Sequence, residues 1–489
     1  MAETAIIIGS PSTCQRLERQ LDLLEVRPHS LGWIVPEDAS ALSSEFPAIL
    51  GTVADLELIL AVRKPSLALV CLPGSMSSLI ASIRTRIRKL GIAERFMPTL
   101  EDQLAGVGPR THIDIDLADL LDRPARRVDE SSIRGVLAGR NVLITGAGGS
   151  IGSDLARTVA RFRPRKLLLV ERSENALFEI DRQIARRFPE LPREALLHDI
   201  VDAARTLALF HGHRPQVVFH AAAHKHVPMM EDHPGEAVDN NLFGTTSVAD
   251  AADAVSAERF VMISTDKAVN PSSVMGATKR LAEIYVQHMN QRSATGFCMV
   301  RFGNVLGSTG SVLDVWSRQI AEGGPLTVTD PGMTRYFMTI PEAAALVIQA
   351  AALLEPTSKH DEVFLLDMGE PIRVVDLARR FALMHGLNAI ETCQRSSHRS
   401  SKVRAGEIRV VFTGARPGEK LHEELAADGQ ALQPTRHPDI MIWAVESPSH
   451  GQVTRILREL APDSRPTDPR LLANLIHGLV QNFAGALAA

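Results

Sequence analysis

Cysteine is scarce and scattered in this 489-residue chain: Cys14, Cys71, Cys298 and Cys393 form no Cys-x-x-Cys pair. That spacing excludes a zinc site and suits a reducing, cytoplasmic compartment. No apolar run reaches the about 18–20 residues that cross a bilayer. The longest candidate, Ala343 to Leu354, is interrupted by Gln349 and flanked by Pro341-Glu342 and Pro356, so it reads as a buried helix. The opening Met-Ala-Glu-Thr lacks the basic start and small-residue cleavage site of a secretory leader. A net charge of -4 at pH 7 gives no electrostatic ground for nucleic acid or a membrane surface. Low-complexity segments and a detectable internal repeat are also absent. What remains, 45% apolar and 22% charged, is a globular composition that is expected to be soluble. At about 100–200 residues per domain, two or three domains are expected.

Residues 1–112 read as a small α/β unit. Ala5-Ile6-Ile7-Ile8-Gly9-Ser10 is an apolar run ending in Gly-Ser, as a buried parallel strand does. A helical pattern follows from Gln15 to Leu24, then strands at Ser30–Val35 and Leu67–Leu72 with a helix between them. Residues 113–138 turn polar and irregular, and Asp122-Arg123-Pro124-Ala125-Arg126-Arg127 marks a linker. A larger α/β unit opens at Asn141, with apolar runs at Val142–Thr145, Leu167–Val170, Val217–His220 and Phe260–Ile263 separated by helical stretches. That order predicts a doubly wound parallel sheet over residues 139–446, followed by a helical tail over 447–489.

Two constellations in the larger unit carry chemistry. Thr145-Gly146-Ala147-Gly148-Gly149-Ser150-Ile151-Gly152 leaves a strand and opens a helix. Gly146 permits the tight turn, Gly149 lets backbone approach a pyrophosphate, and Gly152 lets the helix sit close to the sheet. Glu171 stands 19 residues beyond Gly152 at the end of the second strand, where an acidic group binds the ribose hydroxyls of NAD. The adjacent Arg172 leaves room for NADP. Gly9-Ser10-Pro11 in the first unit lacks the later glycines, which favours a structural or regulatory role there.

The second constellation is Ser264-Thr265-Asp266-Lys267, followed by Met275-Gly276-Ala277-Thr278-Lys279. The latter has the Tyr-x-x-x-Lys spacing of short-chain dehydrogenases, with methionine where the phenol belongs. A thioether neither donates nor accepts a catalytic proton, so in an active enzyme proton handling falls to Thr265, Asp266 and Lys267. Taken alone, an Asp-Lys pair at a strand end is a solvated ion pair, and Met275 is a residue that packs the tyrosine's space. His224 and His226 lack a third ligand at metal-binding spacing, so no metal is expected.

About three-fifths of the chain, residues 136–425, resembles the nucleotide-sugar 4,6-dehydratases of the extended short-chain dehydrogenase/reductase group. The nearest likeness is to the CapD-like polysaccharide-biosynthesis branch that acts on UDP-N-acetylglucosamine. The matching strings are Gly146–Ser153, His220–Pro228, Ser264–Pro271, Met275–Lys279, Val300–Val305 and Arg416–Lys420. The resemblance implies a Rossmann-type fold and a reaction in which C4 of the sugar is oxidised by NAD, C5 loses a proton, water leaves from C6 and the hydride returns. It implies Asp266 as the acid at C6, Lys267 as the base at C5, Thr265 at the C4 hydroxyl and Lys279 at the nicotinamide ribose. Cofactor contacts would come from Gly146, Gly148, Gly149, Ser150, Ile151, Gly152, Glu171, Arg172, Asp199, Ile200, Ala221, Ala222, Ala223, Asn241 and Lys279. Substrate contacts would come from His224, Lys225, Asn304, Arg335, Arg416 and Glu419. A homo-oligomer is implied. Longer members of the branch carry transmembrane helices ahead of the first α/β unit, whereas this sequence starts at that unit.

Two rivals compete with the dehydratase. A 4-epimerase shares the C4 oxidation but has no use for an acid–base pair at C5 and C6. A regulator that binds NAD or a sugar nucleotide without turning it over is the non-enzyme reading, and Met275 is its main support.

Overall fold

This computed structural model describes residues 4–22, 28–36, 48–72, 76–97, 117–121, 126, 128–354, 362–385, 387–391, 406–426, 432–444 and 448–487. The chain divides into two compact units, Met1–Ile115 and Asp116–Ala489.

The first unit is a five-stranded sheet of β1 (Thr4–Gly9), β2 (His29–Val35), β3 (Ile49–Thr52), β4 (Leu67–Cys71) and β5 (Ala93–Phe96). The strands lie in the order β3-β2-β1-β4-β5 and every pairing is parallel. Alternation along β1 sends Ile6 and Ile8 to one core with Ile34, Leu60 and Val70. It sends Ile7 to the other core, with Cys14, Leu17 and Trp33. Burial on both faces explains why the strand reads as an uninterrupted apolar run.

The second unit winds the same way on a larger scale. Its first six strands are β6 (Asn141–Thr145), β7 (Lys166–Glu171), β8 (Arg193–Leu197), β9 (Val217–His220), β10 (Arg259–Ile263) and β11 (Gly296–Arg301). They run in parallel in the order β8-β7-β6-β9-β10-β11. Glu362–Leu366 extends the parallel sheet, and Ile440–Ala444 and Leu432–Pro434 close its edge in antiparallel fashion. Chain direction across the sheet reverses between β6 and β9, which opens a crevice beyond their carboxyl ends.

One stretch of the expected connector and the expected tail both contribute to this core. In the Glu130–Leu137 helix, Ile133, Val136 and Leu137 pack with Val142 and Leu155. The His450–Leu460 and Pro469–Leu487 helices lay Val453, Ile456, Leu472, Ile476 and Phe483 into the core that holds Leu281 and Ile284. Those last two belong to the Val274–Arg292 helix, whose residues 274 to 290 are all buried. At about 1.5–3 kcal/mol per buried large apolar side chain, the C-terminal pair holds that central helix in place. Among the described residues no helix is long and apolar enough to cross a membrane.

Candidate active site

The glycine turn forms the floor of the crevice. Gly146 sits at φ +64°, and a Cβ on Gly152 would lie 2.0 Å from the Gly146 carbonyl oxygen. Gly149 caps the Ser150–Arg161 helix without any side-chain capping bond. The first turn therefore has no hydroxyl or carboxylate cap at its N-cap position, an arrangement that suits an anion. Glu171 fixes the rim: its carboxylate accepts main-chain N–H groups from Gly148 (3.1 Å), Arg172 (2.9 Å) and Ser173 (3.1 Å). Asp199, Ile200, Ala221, Ala222 and Ala223 line the same cavity with Val170, His198 and Asn240. Ser150 accepts the Thr309 N–H at 2.9 Å, Lys225 Nζ donates to the Thr309 carbonyl at 2.9 Å, and Ile151 packs against the β6 side of the core. A Cβ on Gly148 would strike Ala176 at 2.5 Å.

His224, expected as a substrate contact on a loop that lines the cofactor or the sugar, lies at the glycine crevice, with Arg172 Nη2 3.2 Å from its Nε2. Burial and the Arg172 charge lower its pKa. Asn241 is fully buried and does not line the crevice. Its amide is spent on the His224 N–H (2.8 Å), the His224 carbonyl (3.1 Å) and Thr278 Oγ1 (3.2 Å), so it holds the β9 loop against the Val274–Arg292 helix. Asn240, one residue earlier in the same π-helical turn, takes the place at the wall.

Beyond β10 the strand tip turns into a short 3-10 segment, Asp266–Ala268. Thr265 Oγ1 donates to Asp266 Oδ1 at 2.9 Å. Lys267 Nζ donates to the same oxygen at 3.0 Å and to Asn304 Oδ1 at 3.1 Å. The Asp266 N–H bonds the Phe302 carbonyl at 3.0 Å, which pins the tip to the loop after β11. Asp266 is wholly buried, and its Oδ2 has no partner among the described residues. Carboxyl, amine and hydroxyl thus converge on one point, with a carboxylate oxygen unspent.

Met275 and Lys279 lie on consecutive turns of the adjoining helix. Met275 is 4% exposed and belongs to the apolar core. Lys279 Nζ donates to the Ile263 carbonyl at 2.7 Å, and burial, countered only by Glu283, brings its pKa down to about 8. Gly276 makes the close approach possible: a Cβ there would fall 2.2 Å from the Lys267 carbonyl oxygen. Neither of the chain's two tyrosines supplies an easier phenol proton. Burial raises the pKa of Tyr285, which donates to Asp250, and burial followed by Glu370 and Asp266 raises that of Tyr336.

Behind the tip lies a buried charge cluster centred on Glu283, a residue that no motif marks. Ser264 Oγ donates to Glu283 Oε1 at 2.6 Å, and Arg301 donates to both oxygens of Glu283 at 2.7 and 2.6 Å. Arg280 adds a fourth bond at 3.1 Å. Burial pushes the Glu283 carboxyl up, but the two guanidiniums outweigh it and leave it at about 2. The cluster ties β10, β11 and the Met275 helix into one rigid backing, with Arg301 over the Trp443 ring at 4.3 Å.

The substrate-side residues divide by exposure. Arg335 is buried, and its fork donates to the carbonyls of Thr334 (2.7 Å), Leu421 (3.0 Å) and Lys420 (2.7 Å). It therefore shapes the 416–423 loop. Arg416 is exposed, and its N–H bonds Glu419 Oε2 at 3.1 Å. Asn304 is committed to Lys267. Glu423, 7% exposed, puts Oε1 3.6 Å from Lys267 Nζ. It stands three residues past the Arg-Pro-Gly-Glu-Lys string, and only its distance to the strand tip in the fold reveals it.

Residues 142–445 match the family described as Polysaccharide biosynthesis protein. The probable polysaccharide biosynthesis protein EpsC of Bacillus subtilis (strain 168) is 44% identical over 339 residues, covering 69% of this chain and 53% of that protein. A UDP-N-acetylglucosamine 4,6-dehydratase (inverting) of Campylobacter jejuni is 29% identical over 289 residues, 58% of this chain and 76% of that one. A UDP-glucose 4-epimerase of Rickettsia rickettsii is 34% identical over 298 residues, 59% of this chain and 78% of that one. Among solved structures, Pen from Bacillus thuringiensis superposes with a TM-score of 0.52 at 31% identity, over 64% of this chain and 91% of its own. The chain spans about half the length of the first curated relatives it matches. Its glycine crevice, its strand-tip triad and the match across 142–445 together make the chain a member of the polysaccharide-biosynthesis protein family within the extended short-chain dehydrogenase/reductase superfamily.

Proposed function

We propose that this chain is a 4,6-dehydratase of UDP-N-acetylglucosamine that serves polysaccharide synthesis and works with NAD held in the β6–β9 crevice. The observation that carries the reading is the Asp266–Lys267 pair, 3.0 Å apart at the strand tip, beside a helix position where methionine replaces a phenol. The crevice fits a dinucleotide: its helix start is uncapped, its glycines admit backbone contact, and Glu171 stands at the rim for ribose hydroxyls. When bound there, NAD supplies the reversible oxidation of the sugar. Lys279, buried beneath the tip, would orient its ribose.

Proton handling is left to this chain's own side chains. Thr265 bonds the C4 hydroxyl and passes its proton to Asp266 Oδ1. Asp266 then delivers a proton to the C6 oxygen, which leaves as water. Lys267 removes the C5 proton and later delivers one of its ammonium protons, open to exchange with solvent, to the same face, so configuration at C5 is retained. Such placed acid and base groups are worth about 10²–10⁴ each in rate. Arg416 and Glu419, on the outer loop, would take diphosphate and uridine ribose, for which an arginine fork and a carboxylate are suited.

A 4-epimerase, the activity one relative is named for, needs a proton handler at C4 alone and leaves the second group of the pair idle. Incubation with UDP-N-acetylglucosamine followed by mass spectrometry separates the readings. Loss of one water supports the dehydratase. An unchanged mass with altered configuration supports the epimerase, and unchanged sugar with retained NAD supports a binding protein. Lys267→Ala is expected to abolish water loss while keeping NAD, and full turnover by that variant would remove the lysine from the base role.

A further inference from the structure

A lysine base must be an uncharged amine when it meets the C5 proton. The site as built surrounds Lys267 with acceptors: Asp266 Oδ1 at 3.0 Å, Asn304 Oδ1 at 3.1 Å and Glu423 Oε1 at 3.6 Å. Asp266 is already engaged by Thr265 and is reserved for the C6 oxygen. Asn304 offers only an amide oxygen. Glu423 is the remaining carboxylate, and its environment is unusual. Its side chain is 3% exposed, and Oε2 is buried with no partner among the described residues. Its sequence neighbours turn elsewhere: His422 Nδ1 lies 2.8 Å from Thr334 Oγ1, and Glu424 accepts from Asn270 Nδ2 at 2.7 Å. Among the described residues, the charged groups that face it are Lys267 from the strand tip and Arg335 from the Thr334–Arg335 strand, the latter 3.9 Å away. Arg335 has spent its fork on main-chain carbonyls, so Lys267 is the partner with a proton to give.

We propose that Glu423 is the positioning residue that takes the third proton of Lys267 and so readies the amine for C5. The inference rests on the dehydratase reading of Lys267. The balance closes. The ammonium proton moves to the Glu423 carboxylate, giving neutral amine and neutral acid, a pair that a dry pocket tolerates better than water does. The C5–H bond then breaks towards the amine, its electron pair forms the C5–C6 double bond, and the C6–O pair departs with the proton from Asp266. When Lys267 returns a proton to C5, Glu423 restores the ammonium. Because Glu423 lies on the loop that carries Arg416 and Glu419, seating the diphosphate would also seat the carboxylate beside the lysine.

The test is kcat and KM against pH for the NAD-loaded full chain and its Glu423→Gln, Glu423→Asp and Lys267→Ala variants, with UDP-N-acetylglucosamine as substrate. In the parent the proton stays within the pair, so the rising limb of kcat reports a carboxylate. In Glu423→Gln the lysine proton must go to solvent, so kcat at pH 7 falls about 10²-fold and recovers as pH rises, with KM within about 3-fold of the parent. Glu423→Asp is expected to keep the acidic limb at reduced kcat. A carboxylate that merely anchors an ammonium predicts the opposite sign, because removing its charge eases loss of the lysine proton and moves the limb to lower pH. That outcome, an unmoved limb or an unchanged kcat overturns the proposal. Should Glu423→Gln fail to fold, an alkaline limb in Glu423→Asp overturns it equally, and an acidic one supports it. If Lys267→Ala turns over, the base reading itself falls, which is a separate failure.

Discussion

The two units wind their sheets alike, yet only one is built to take a dinucleotide. In both, the chain leaves a central strand through a glycine, starts a helix and crosses to the neighbouring strand. In the first unit Ser10 caps the Pro11–Leu21 helix by accepting the Thr13 N–H at 3.3 Å, and Thr13 Oγ1 bonds the Ser10 carbonyl. Thr13 Oγ1 also stands close to the strand's last glycine: a Cβ on Gly9 would lie 2.8 Å from it. In the second unit Gly149 leaves the helix start without a side-chain cap. The second strand ends on Val35 in one unit and on Glu171 in the other. Strand order alone therefore makes a crevice; an uncapped helix and an acidic rim make it a candidate binding site.

The comparison can be broken most severely at Gly152. Gly152→Val would drive a side chain into the Gly146 carbonyl, and the purified protein is expected to lose bound NAD entirely, as read by absorbance and mass spectrometry. Gly276→Ala comes next. Its methyl would displace the Lys267 carbonyl, so kcat should fall about 10²-fold with NAD content unchanged, measured by product formation. Glu171→Val gives the second unit the rim of the first. Loss of a carboxylate that accepts three N–H groups is expected to weaken NAD binding about 10–100-fold by titration, in line with roughly 1.5–3 kcal/mol for bonds to a charged group.

A smaller effect concerns pH. Lys279 has a folded-state pKa lowered to about 8 from 10.5, so between those values the unfolded chain binds the extra proton. Unfolding free energy should therefore rise with pH across that window. The rise is a few kcal/mol at most, since each tenfold change in proton affinity is worth about 1.4 kcal/mol. Lys279→Met is expected to flatten the rise in denaturant titrations. Smallest of all, Ser10→Ala removes a helix cap in the first unit. It should cost about 1 kcal/mol of stability and leave NAD content untouched.

Much of this was legible in the sequence because the signals are local. Val142-Leu143-Ile144-Thr145 followed by spaced glycines states strand, turn and helix within one short window, and all of those elements form. The strand-tip triad was visible for the same reason: Thr265, Asp266 and Lys267 are consecutive. Residues that act from a distance were not legible. Glu283 meets Arg301 across 18 residues, and Glu423 reaches Lys267 from a loop 156 positions on, and neither carries a pattern of its own. The amide pair at 240 and 241 shows a finer limit. A π-helical turn decides which of two adjacent asparagines faces the crevice, and composition holds no trace of that turn. Residues 447–489 read as a tail because the partner of their described helices, the Met275 helix, lies far upstream.

The central claim is that proton handling lies with Thr265, Asp266 and Lys267 because Met275 is inert. Turnover of UDP-N-acetylglucosamine in heavy water tests it most directly, since the amine of Lys267 then carries deuterium. The account predicts a product lighter by one water, with solvent deuterium at C5 in most molecules and none at C6. A sugar of unchanged mass, or a dehydrated product that holds only its original hydrogen at C5, would contradict it.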